Sequence, residues 1–169
     1  MKKRLLVFAV IMAAAFSAKA QFSIGGWAGA SLNKETKTFT IAPDVVYCFP
    51  ETSFSLGCAI EYGGEWSDGK YVTNTLFVSP SVSYDIYSFN ERFTLFVDLI
   101  SDIDALQRNY FDIGLMPGIS LMVTEHWSAE FNFGFLGYQR EAVLEQPVKQ
   151  DFVFDFETGV SAFRLYYNF

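Results

Sequence analysis

Counting back from Phe169, every second side chain is large and apolar: Tyr167, Leu165 and Phe163. The same two-residue period fills most of the chain. Phe39, Ile41, Pro43, Val45, Tyr47 and Phe49 alternate with Thr38, Thr40, Ala42, Asp44, Val46 and Cys48. A period of two puts neighbouring side chains on opposite faces of a strand, whereas a helix would need 3.6. The chain is therefore expected to be all-β, with no helix after its first 20 residues.

A longer period sits on top of the short one. Ile41-Ala-Pro43-Asp-Val45, Val78-Ser-Pro80-Ser-Val82 and Leu115-Met-Pro117-Gly-Ile119 share one pattern, with prolines 37 residues apart twice over. One repeat holds two strands and their two connections. Eight strands are expected, near 22–32, 38–49, 53–64, 71–87, 92–100, 110–123, 127–138 and 151–169. Short connections at Pro50–Thr52, Ser88–Glu91 and Thr124–His126 alternate with long polar ones at Asn33–Lys37, Glu65–Lys70, Ser101–Asn109 and Gln139–Gln150. Alternation of this kind gathers tight turns at one rim of a barrel and long loops at the other. Mid-strand proline removes a ladder hydrogen bond, so its recurrence marks a structural position, next to a bulge.

The two faces differ in chemistry. Phe54, Leu56, Cys58, Ile60 and Tyr62 oppose Ser53, Ser55, Gly57, Ala59 and Glu61, and the flanking strands repeat the contrast. Over these spans the polar face has no Lys and the apolar face has no charge. A soluble barrel would carry Lys and Glu outside, while small hydroxyls suit the crowded interior of a narrow eight-stranded barrel. Aromatics gather towards strand ends, Tyr47, Phe49, Phe54, Phe93 and Trp127 by the short turns, Tyr62, Trp66, Tyr71, Tyr110 and Tyr138 by the long loops. Two belts of this kind match the two headgroup levels of a bilayer.

The first 20 residues have the form of a removable export signal: Lys2, Lys3 and Arg4, a 12-residue apolar run from Leu5 to Phe16, then Ala18-Lys19-Ala20. Cleavage after Ala20 leaves residues 21–169 as one barrel domain. Eight basic residues then face 19 acidic ones, a net charge of −11, which disfavours a nucleic-acid partner. A strand ending on an aromatic gains little in water, where termini fray. It gains more by closing a barrel in lipid.

With these features the mature chain resembles the small bacterial outer-membrane β-barrel family of OmpA/OmpX type. The resemblance rests on the export signal, the repeat and the alternating tail ending Tyr167-Asn-Phe169. It implies an eight-stranded antiparallel up-and-down transmembrane β-barrel in the cell outer membrane, monomeric, among outer-membrane lipids and lipopolysaccharide. Phe163, Leu165, Tyr167 and Phe169 would be its C-terminal insertion signal, read by the barrel-assembly machinery. No peptidoglycan-binding module is expected to follow, and no cofactor or metal is implied.

The alternation turns Asp44, Glu61, Asp98, Asp112, Glu130 and Arg164 inward. Five acids and one base cannot all stay ionised and unpaired in a narrow lumen, so Arg164 is expected to be the hub of a charge network that plugs the barrel. Lys34, Lys37, Lys70, Arg108, Arg140 and Lys149 fall in the long loops, within reach of lipid phosphates; ordinary solvated loop charge explains them equally. Ser101, Asp102 and Asp104 supply too few carboxylates for a calcium site. Cys48 and Cys58 fall on opposite faces and are expected to stay free.

Two rival readings remain. A secreted soluble β-barrel would bind an apolar ligand inside. A lipid A-modifying barrel enzyme would use the sole histidine, His126, with Ser128. His126 falls in a short turn, at the rim away from outer-leaflet lipid, and Ser128 points into the lumen. No enzymatic role is therefore expected.

Overall fold

The computed structural model describes residues 21–32, 36–67, 70–106, 109–142, 148–155 and 162–169. The expected export signal, with Ala18 and Ala20, lies outside them, as do Lys34 and Arg108. Eleven strand segments form a single sheet: β1 (Phe22–Leu32), β2 (Thr36–Cys48), β3 (Phe54–Ser67), β4 (Lys70–Asn90), β5 (Phe93–Ile100), β6 (Ile103–Asp104), β7 (Tyr110–Met122), β8 (Trp127–Asn132), β9 (Phe135–Glu141), β10 (Lys149–Asp155) and β11 (Ala162–Asn168). All neighbours are antiparallel. The segments occupy eight positions, because β5 with β6, β8 with β9 and β10 with β11 share one position each. The sheet is a closed eight-stranded antiparallel barrel.

Closure is made by β11, which pairs with β8 on one side and with β1 on the other, from Ser23↔Asn168 to Gly26↔Leu165. Among the described residues β10 pairs with β9. Among the described residues, the expected eighth strand over 151–169 comprises β10 and β11, and its seam with β1 is formed by β11.

The repeat prolines explain the other interruptions. Proline has no N–H to give the neighbouring strand. Opposite Pro80 the ladder breaks between Ile100 and Ile103, separating β5 from β6. Opposite Pro117 it breaks between Asn132 and Phe135, separating β8 from β9, and Gly134 absorbs the extra residue at φ 76°. Pro43 lies at a gap in the β2–β3 register between Ile41↔Tyr62 and Asp44↔Ala59. The Pro80 and Pro117 carbonyls still accept bonds, from the Ser101 N–H at 3.2 Å and the Phe133 N–H at 2.9 Å.

Short polar side chains shape the tight turns. Thr52 Oγ1 donates to the Phe49 carbonyl at 3.1 Å, Asn90 Oδ1 accepts from the Arg92 N–H at 2.8 Å, and Thr124 Oγ1 accepts from the Trp127 N–H at 3.0 Å. Such local bonds replace the ladder where the chain reverses. β4 runs on to Asn90, so the second turn is shorter than the spacing predicts.

Burial is inverted relative to a water-soluble domain. Ile41, Ile60 and Leu99 point outward, 51%, 51% and 44% exposed, as do Phe163 at 62% and Leu165 at 44%. Asp44, Asp98, Asp112 and Arg164 point inward and are buried. The interior is not wholly polar, contrary to the small-residue pattern of the strands that define it best. Tyr166, Phe96 and Phe135 lie over Gly25, Gly118 and Gly114, each ring filling the room a Cβ would take. Phe135 also packs with Ile100 and Met116. Glycine opposite an aromatic lets a large ring enter a barrel too narrow for two side chains.

The aromatic ends are assembled as pairs. Phe22, Tyr47 and Phe49 form a chain at the short-turn rim, Trp127, Tyr167 and Phe169 another. Phe39 touches both Tyr62 and Trp66 towards the other rim, and Trp66 meets Tyr71. Tyr110 departs from its expected place in that belt. It faces inward, because it keeps the parity of Asp112, and its ring meets Phe77 edge-on.

Candidate functional site

Six charged side chains were expected inside, and alternation along each strand brings them there. Asp98 on β5 is the most heavily bonded. Its Oδ1 accepts from the Ser83 hydroxyl, and its Oδ2 accepts from Asn132 Nδ2 at 3.0 Å and Arg164 Nη1 at 3.4 Å. Arg164 on β11 therefore reaches across the interior to β5. Glu130 stands directly opposite Arg164 in the β8–β11 ladder. It borders the same small space as Asp44, Asp98 and Arg164. Asp44 accepts a 2.7 Å hydrogen bond at Oδ2 from the Tyr166 hydroxyl.

Glu61 and Asp112 sit apart from this group, nearer the long connections. Tyr110 donates its hydroxyl to Asp112 Oδ2 at 2.8 Å, and the Asp102 N–H donates to Oδ1 at 2.8 Å. The Ser101 hydroxyl donates to the Asp112 carbonyl at 2.7 Å. These bonds pin the β5–β6 interruption to β7. They also occupy the Ser101 hydroxyl considered for a cation. Among the described residues no group of three or more metal-ligating side chains is arranged to hold a metal ion.

Among the described residues, three spaces border these inward groups. The lower one, about 320 Å³, opens towards the short turns and is walled by Ser23, Cys48, Asp85, Ser128 and Glu130 among others. The upper one, about 260 Å³, is bordered by Trp27, Asp44, Glu61, Tyr110, Asp112 and Arg164. Between them a recess of about 30 Å³ is bounded by Asp44, Asp98, Glu130, Arg164 and Tyr166. Chemically this waist offers a positive group committed to one carboxylate, surrounded by further carboxylates and serine hydroxyls.

Tyr166, Asn132 and Ser83 belong to this network although the charge pattern alone omits them. Parity locates them: Tyr166 is two residues past Arg164, and Asn132 two past Glu130. Asn168, on the same face as Tyr166, accepts from Ser23 Oγ at 2.6 Å and donates to Ser128 Oγ at 3.3 Å. Ser128 is thus an inward, buried member of the closing seam. The His126 ring lies outside, stacked on Tyr167 at 5.6 Å with Nδ1 3.2 Å from the Asn168 carbonyl. The two side chains considered as a nucleophile and base lie on different sides of the wall.

Of the outward set, Phe163, Leu165 and Phe169 are exposed and Tyr167 is packed among His126, Trp127 and Phe169. Cys48 faces the lower space opposite Ser55, while Cys58 lies opposite Val45, and both thiols are free. Lys37, Lys70, Arg140 and Lys149 are exposed at the rim of the long connections. Compared with known proteins, the sequence matches no family model, and no curated protein is significantly similar to it.

Proposed function

We propose that this chain is an integral outer-membrane protein of the small β-barrel type. In this reading residues 1–20 direct export and are removed. Residues 21–169 form a monomeric barrel inserted by the barrel-assembly machinery, with Phe163, Leu165, Tyr167 and Phe169 as the recognised tail. The barrel is plugged at its waist and is non-enzymatic. It supports the membrane mechanically or presents its four long connections for adhesion or interaction, with their lysines and arginines near lipopolysaccharide phosphates.

The single observation that carries this reading is the inverted burial. Large apolar side chains are exposed right round the barrel, Ile24, Ile41, Ile60, Leu99, Leu115, Phe131 and Leu165 among them, where a soluble monomer commonly exposes a patch of about a few hundred Å². In a bilayer the same surface replaces lipid contacts and needs no cover. Charges collected in the interior fit this, because a narrow barrel must fill its lumen with side chains. The waist supports a plug over a porin, since Arg164–Asp98 joins facing walls there and Tyr166–Asp44 joins β11 to β2 over β1.

The test is fractionation of producing cells followed by detergent extraction. The protein should sediment with the outer membrane, require detergent for release and run at a different gel mobility before and after boiling. Recovery as a monomer from the aqueous fraction without detergent overturns the proposal. Incubation with lipid A should leave every acyl chain in place by mass spectrometry.

A further inference from the structure

Among the described residues, the buried side-chain atoms left without a partner are Gln21 Oε1, Asp44 Oδ1 and Asn132 Oδ1, all acceptors. Gln21 borders the lower cavity, together with Asp85 and Glu130. Asp44 is only 4% exposed. Its Oδ1 lies 3.7 Å from where a Cβ on Gly57 would stand. Both residues wall the recess, so this oxygen looks into it. The base in the recess, Arg164, has its Nη1 turned to Asp98.

A buried carboxylate oxygen without a donor is costly, and a ligand that brings donors and positive charge recovers that cost. Donor count narrows the choice. Within this recess of about 30 Å³ a primary ammonium offers three N–H donors to the oxygens around it, whereas a quaternary ammonium offers none. The carboxylates are not grouped for a metal ion. Val46, Ser55, Ser83, Glu130 and Tyr166 wall both the recess and the lower cavity, so the route in is from the short-turn rim.

We propose that the lower cavity and the recess together bind a small primary-amine cation. Its ammonium sits in the recess against Asp44 Oδ1, with its N–H groups also facing the neighbouring serine hydroxyls. The rest of the molecule lies in the lower cavity, where Asp85 and Gln21 face a second ammonium or hydroxyl group. At about 320 Å³ this cavity is at the small end of ligand pockets. The inference concerns the interior alone, so its failure leaves the reading of the outer surface untouched.

The folded protein in detergent micelles is titrated calorimetrically at fixed ionic strength with 1,4-diaminobutane, 1,4-butanediol and tetramethylammonium. The diamine should bind saturably at one site, and the diol and the quaternary ion should not. Asp44→Asn should weaken binding at least tenfold, and Glu61→Gln, in the upper space, should leave it unchanged. Gly57→Ala is the second probe, because its methyl enters the recess without altering charge; its one close approach is to the movable Ser81 hydroxyl at 2.5 Å, with Val46 and Asp44 at ordinary contact distance. Loss of binding in either variant that keeps the native unboiled gel mobility supports the site. Absence of saturable diamine binding, equal binding of tetramethylammonium, or full affinity in every folded variant overturns it.

Discussion

Arg164 on β11 and Asp98 on β5 meet across the barrel interior, Nη1 to Oδ2 at 3.4 Å, both almost fully buried. Removing one partner of a buried pair leaves the other charge stranded, which typically costs about 3–5 kcal/mol. Arg164→Ala should therefore lower stability by about 3 kcal/mol, read as an earlier loss of the unboiled gel form on heating. Adding Asp98→Asn should restore part of the loss, since the amide keeps partners in Ser83 and Asn132 and removes the carboxylate that Arg164 had bonded. If the double variant is as unstable as the sum of the single ones, the two residues are not coupled.

Leu99 points outward near the end of β5, midway along the position β5 shares with β6, between Val82 and Leu115 on the adjoining strands. Replacing it with arginine discriminates between media. Facing hydrocarbon, the charge should cost about 2–4 kcal/mol. Facing water, a surface substitution is usually within about 0.5 kcal/mol of neutral. Leu99→Arg is expected to depress folding into lipid vesicles by the larger amount, measured by denaturant titration of tryptophan fluorescence.

Gly26 stands opposite both Leu165 and Pro43, at the head of the closing seam, with φ 136°. Side chains rarely adopt that backbone, and a Cβ there would run into the Ala42 carbonyl oxygen. Gly26→Ala should cost about 1–3 kcal/mol and slow closure, seen as a lower yield of the unboiled form after refolding. Gly29→Ala is the control, because its Cβ would meet only the Trp27 ring, at 3.3 Å.

Cys48 and Cys58 differ in what they face. Cys48 borders the lower cavity, and Cys58 lies on the outer surface. In vesicles a membrane-impermeant maleimide supplied from the short-turn side should label Cys48→Ser slowly, if at all, and Cys58→Ser readily. Equal labelling of both variants would contradict an outer face shielded by lipid. Without reductant, denatured wild-type protein should titrate as two thiols.

The alternation made strand number, strand parity and the inward set of Asp44, Glu61, Asp98, Asp112, Glu130 and Arg164 legible in the sequence, because parity follows from backbone geometry at each residue. Tyr166 and Asn132 were legible by the same rule, though no charge drew attention to them. Which inward groups touch was not legible. Arg164 bonds Asp98 on a distant strand while Glu130 stands opposite it in the neighbouring ladder, and no spacing along the chain encodes that choice.

The sequence alone determined that this chain forms strands with one apolar and one polar face, since a two-residue period is a local property. Only the tertiary structure decided how the strands are staggered when the sheet closes. At Pro43 and Pro80 the ladder resumes in the same register, but Gly134 adds one residue opposite Pro117 and β4 slips against β5 between Asp85 and Tyr87 and between Ser88 and Asn90. That stagger fixes which carboxylate lies level with Arg164 and where a ring can settle over a glycine. Interior contacts are set by closure, and closure is a sum over all eight positions that no single segment carries.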